Sequence, residues 1–134
     1  MEYGKSITFD NPFPGIYVVT IKRGWELAEV SRFLETDYKN ALFSYDGPYV
    51  LIWDVSAVKG VLPAGTLGTV LRKAPKPPNE RQREKGRYGV GASEMMKQIG
   101  SLAARVSNTG DIAKYFSTPD EALQAAKAAL EAVK

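Results

Sequence analysis

Residues 49–55 read YVLIWDV, with an apolar side chain at nearly every position. Val50 and Ile52 point one way; Leu51, Trp53 and Val55 point the other. Two apolar faces are what an inner strand needs when a sheet is covered on both sides. The β-branched run within Gly15–Lys22 predicts a second strand, and Ser6–Phe9 alternates as a shorter one. The turn NPFPG (Asn11–Gly15) lies between those two, so they are expected to form a hairpin.

From Trp25 to Tyr45 the period changes. Leu27, Val30, Phe33, Leu34, Tyr38, Ala41, Leu42 and Tyr45 recur at three- and four-residue spacing, which predicts one amphipathic helix. Glu26, Glu29, Arg32, Glu35 and Lys39 fill much of its other side, and Asp46-Gly47-Pro48 ends it. Pro63–Lys73 predicts a short helix with proline at its first position, weakened by Gly65 and Gly68. Ala74–Gly86, APKPPNERQREKG, has no apolar period and predicts a surface loop. Arg87–Ala92 predicts a strand. Ser93 is placed to cap a helix with a stripe of Met96, Ile99, Leu102, Ala103 and Val106, stopped by Ser107–Gly110. Ile112–Phe116 predicts a last short strand. Thr118-Pro119-Asp120-Glu121 then combines a cap, an N-terminal proline and capping-box spacing ahead of Leu123, Ala126, Leu130 and Val133.

The expected order is β-β-α-β-α-β-α-β-α. It describes a single α/β domain over residues 1–134, with about five strands in one mixed sheet and four helices. The later strands should be parallel with right-handed crossovers, and the hairpin antiparallel.

Composition narrows the chemistry. The 134 residues contain neither cysteine nor histidine. That excludes disulfides, thiolate zinc sites, cysteine nucleophiles, imidazole proton shuttles and Ser-His-Asp triads. No carboxylate pair has the spacing of a general acid and base, so a non-enzyme without cofactor or metal is expected. No apolar run reaches the ~20 residues of a membrane span, and the start MEYGKSITFD has no apolar signal region, so a cytoplasmic protein is the default expectation. The net charge of +3 is local: Arg72–Arg87 sets seven basic residues against Glu80 and Glu84.

Four features are candidates for function. Asp54 falls at the carboxyl end of the inner strand, where open α/β sheets bind ligands. The alternative, which is favoured, is that it bonds loop amides and holds the Ser56–Val61 connection. Gly89, Gly91 and Ser93 form the front of a glycine-rich anion loop, but Glu94 follows where a phosphate would be repelled, so a tight turn is favoured. The basic loop 72–87 could meet an anionic surface. It lacks interleaved aromatics between Lys73 and Lys85, which argues against single-stranded nucleic acid and for a solvated loop. Phe33, Tyr38, Phe43, Tyr45, Tyr49 and Trp53, with Met95 and Met96, could line an apolar pocket, yet their spacing is also that of a core.

The strand YVLIWDVSAV leading into a helix start, and the ending RYGVGAS…IAKYFSTPDEAL, resemble the STAS domain of anti-sigma factor antagonists and of their SpoIIAA-like and SEC14-like bacterial relatives. The resemblance covers nearly the whole chain. It implies a regulatory or adaptor module that binds a protein partner around Ser56–Leu71, with Asp54, Ser56, Ala64, Gly65, Thr66, Gly68 and Arg72 at the contact. The SEC14-like relatives imply the alternative of an apolar small-molecule or lipid carrier, and a homodimer stays open. The family's Asp-Ser-Ser-Gly motif is replaced here by Leu62-Pro63-Ala64-Gly65. No hydroxyl stands where the family takes its phosphate, so the resemblance implies binding without that switch.

Overall fold

In the computed structural model, residues 2–58, 83–93, 97 and 113–133 are described. They form an α/β fold around one mixed six-stranded sheet, whose strands lie in chain order. The strands are β1 (Glu2–Tyr3), β2 (Ile7–Phe13), β3 (Ile16–Ile21), β4 (Tyr49–Asp54), β5 (Glu84–Val90) and β6 (Ala113–Phe116). β1, β2 and β3 pair antiparallel; β3, β4, β5 and β6 pair parallel. The expected antiparallel hairpin and parallel continuation are both present, with one strand more than expected. Two residues, β1, are too few to carry an alternating pattern.

The alternation along β4 reads directly as two layers. Tyr49 and Leu51 enter a core with Ile7, Val19, Phe33, Leu34 and Leu42, under α1 (Leu27–Glu35) and α2 (Asp37–Ser44). Val50 and Ile52 enter a second core with Ile16, Tyr88, Val90, Ala122 and Ala126, under α3 (Pro119–Glu131). The Thr118 hydroxyl accepts from the Glu121 N–H at 3.2 Å, so the expected cap is formed. The single helix expected over Trp25–Tyr45 is divided at Thr36, whose backbone (φ −117°, ψ −95°) is not helical. Phe33, Leu34, Tyr38 and Leu42 all face the same core, so the apolar stripe runs on across the break. The helices expected over Pro63–Lys73 and 93–106 fall outside the described residues, apart from Ser93 and Lys97; the Lys97 N–H donates to the Ser93 carbonyl at 2.9 Å.

The charged stretch expected as loop up to Gly86 already belongs to β5 from Glu84 onward. Tyr49 pairs with Glu84 and Val50 with Gly86, so Lys85 is a bulged extra residue. The bulge turns Glu84 to the same side as Arg87. The guanidinium then meets the buried carboxylate side-on, Nε to Oε1 at 2.7 Å and Nη2 to Oε2 at 2.9 Å. Arg83 caps α2 from a distance: it donates to the carbonyls of Leu42, Tyr45 and Gly47 and lies over the Tyr49 ring. The basic stretch is therefore partly framework, because Arg83 and Arg87 are engaged within the fold.

Candidate functional site: the carboxyl edge of the parallel strands

β3, β4 and β5 end together, and the loops leaving them meet at one rim. Asp54 closes β4 between Thr20 of β3 and Val90 of β5. Its Oδ1 accepts from the Ser56 N–H at 3.1 Å and from the Ser56 hydroxyl. Asx side chains favour this return to the backbone two residues on. The turn is completed by Val55 N–H to the Val90 carbonyl and Val58 N–H to the Val55 carbonyl, each at 3.0 Å. Asp54 thus holds the start of the Ser56–Val61 connection, as the reading favoured from the sequence expects, and Ser56 is exposed on the rim; residues 59–61 lie outside the described residues.

The glycine-rich stretch is brought to the same place. Gly91 has φ +69° and donates its N–H to the Phe116 carbonyl at 3.1 Å. A Cβ there would lie 2.4 Å from Ser56 Oγ and 2.8 Å from Ser56 Cα, so the two loops press directly on each other. At Gly89 a Cβ would lie 2.9 Å from the Tyr115 ring. Both glycines have a packing reason, and neither requires a phosphate. Asp54, Ser56 and Gly91 thus gather at one rim, with Ser93 two residues beyond Gly91, while Gly89 sits within the sheet beside Tyr115. Ala64, Gly65, Thr66, Gly68 and Arg72 lie outside the described residues.

A second carboxylate stands at this rim, one that sequence reasoning left on the solvent face of a helix. Because β2 runs antiparallel to β3 and Ile7 pairs with Ile21, the Gly4–Ser6 turn lies at the carboxyl edge too. Glu29, in the first turn of α1, accepts from the Ser6 N–H at 3.0 Å, from the Lys5 N–H at 3.4 Å and from the Ser6 hydroxyl. The Ser6 hydroxyl, foremost, holds the Glu29 carboxyl below the usual range, and the backbone donors and Arg32 act in the same direction. These partners are 23 and 24 residues away, so no local pattern announces the contact.

The aromatic group packs on itself. Phe33 touches Phe9 and Tyr38, and Tyr38 touches Trp53, with ring centroids 5.1–5.6 Å apart. Phe33, Tyr38 and Tyr49 are buried, Tyr45 and Trp53 partly so, and Phe43 is exposed; Met95 and Met96 lie outside the described residues. At the opposite end of the strands an open groove of about 250 Å3 is lined by Asp46, Pro48, Arg83, Lys85 and Val133. No helix among the described residues is long and apolar enough to cross a membrane. Comparison of the chain with protein-family models gave no match, and comparison with curated proteins gave none either.

Proposed function

We propose that this chain is a non-enzymatic regulatory or adaptor module of STAS-like type. It binds a protein partner across the carboxyl edge of its parallel strands and does not use serine phosphorylation at Leu62–Gly65. One observation carries the reading: Asp54 spends its carboxylate on Ser56, which is itself pressed against Gly91. A carboxylate used in this way builds a rigid ledge. A preformed ledge lowers the ordering cost of association. The mixed sheet with its N-terminal antiparallel strands supports the STAS-like frame. The mutual packing of the aromatic rings favours this reading over the apolar carrier.

Both tryptophans pack, partly buried, against the core beneath this rim, Trp53 directly before Asp54 and Trp25 between β3 and α1. Their emission should therefore report binding here. The test is capture of partners from a lysate of the source organism by the wild-type chain and by Ser56→Arg, followed by fluorescence titration of whatever the wild type retains. A partner of this surface should perturb tryptophan emission and bind the variant roughly tenfold more weakly, about 1.4 kcal/mol. Equal capture and equal affinity for both proteins would remove the rim from consideration.

A further inference from the structure

We infer that residues 2–6 form a latch, closed by the Glu29 carboxylate, that opens independently of the remaining sheet and frees the loop between β3 and α1 at the rim. The importance of that loop to a partner rests on the reading above; the opening of the latch does not.

The attachments of the segment are few. Among the described residues β1 pairs with β2 through Glu2 with Thr8 and Tyr3 with Ile7. The Tyr3 ring meets Phe33 edge-on at 5.3 Å, and its hydroxyl accepts from Thr36 at 3.2 Å. The Lys22–Glu2 ion pair, 3.1 Å long, is 40% and 73% exposed, and such pairs contribute little. Glu2, Gly4 and Lys5 are exposed, while Tyr3 is partly buried and Ser6 buried; a short edge segment held by so few pairings opens at lower free energy than central strands. Against this stands one concentrated lock, the Glu29 carboxylate on two N–H groups and one hydroxyl. Hydrogen bonds to an ionised acceptor are about twice as strong as neutral ones. The lock also reaches the loop, because the Lys22 N–H donates to the Ser6 carbonyl at 2.7 Å.

The charge on Glu29 sets the state of the latch. The groups placed to influence it are Arg32 one turn along α1, Lys5 in the turn, and the Glu2–Lys22 pair spanning β1 and the end of β3. A carboxyl held below its usual range contributes stability that is complete above that range and is lost as pH falls through the lowered value. Acid therefore opens the latch.

Hydrogen exchange on the intact chain tests this in wild type, Glu29→Gln and Gly4→Ala, the last placing a Cβ 2.5 Å from Glu29 Oε2. Both variants should exchange amides of residues 3–6 and 22–26 about tenfold faster, as expected for a sub-global opening, with β2, β3, β4 and β5 otherwise unchanged. No acceleration, or an equal acceleration throughout β3–β5, overturns the latch. In a titration from about pH 7 to about pH 3, the Ser6 amide and the Tyr3 ring signals should move together below the ordinary glutamate value of ~4.3. Separate midpoints, or a shared one at or above that value, also overturn it. Neither measurement needs a partner, so failure here is distinct from failure of the proposed binding surface.

Discussion

Replacing Gly91 with alanine tests whether the ledge is as tight as its geometry implies. Two terms act there. A Cβ residue at φ +69° bears a left-handed backbone cost of about 1–2 kcal/mol. The new methyl also meets Ser56 Oγ at 2.4 Å and the Ser56 backbone at 2.8 Å, which a rotamer change alone cannot relieve. Overpacking of this kind costs about 1–3 kcal/mol. The total is about 2–5 kcal/mol, and at roughly 3–5 °C per kcal/mol for a chain of this length the melting temperature should fall by about 6–25 °C. Gly24 separates the terms. Its φ is +86° and nothing lies within 4 Å of a built Cβ, so Gly24→Ala bears the backbone cost alone. Calorimetric melts of both variants should leave Gly91→Ala the less stable by at least about 1 kcal/mol. Equal losses would refute the contact between the Ser56 loop and Gly91, and with it the ledge.

Breaking the buried Glu84–Arg87 pair from one side should be costly. Arg87→Met, which leaves a buried carboxylate, should lower denaturant stability by about 3–5 kcal/mol, whereas Glu84→Leu/Arg87→Met should recover most of it; a double variant as unstable as the single would refute that account. Thr118→Ala should cost about 1 kcal/mol in the same assay through loss of the α3 cap, and Thr118→Ser should cost little. A loss no larger in the alanine variant than in the serine variant would show the cap to be inert.

Much of the fold could be read in advance where a pattern was local and long enough. The two-sided β4 and the Thr118 start of α3 are of this kind, since both are set by residues within a few positions of one another. The break at Thr36 was hidden because two helices docked on one core present one continuous stripe. β5 was shortened because Glu84 and Lys85 look like loop until a bulge pairs Glu84 with Arg87. At the site, the Asp54–Ser56 turn was legible since Asx chemistry acts two residues away. The work of Gly89 and Gly91 was not, because only tertiary structure shows what would meet a Cβ. The Glu29 contact with Ser6 was equally hidden, joining a helix to a turn 23 residues earlier.

The six strands lie in the sheet in the order in which they are synthesised. Each strand can therefore dock on the open edge left by its predecessor, and none must be inserted between two already paired. Growth from the ribosome can proceed by addition alone, which suits domains that fold as the chain emerges. The layers do not close together, however. α1 and α2 cover their face early, while Ile16, Val50, Ile52, Tyr88 and Val90 await α3, the last of the described elements. Among the described residues α3 supplies the cover for this face, so a chain stalled before Pro119 would carry these apolar side chains without it.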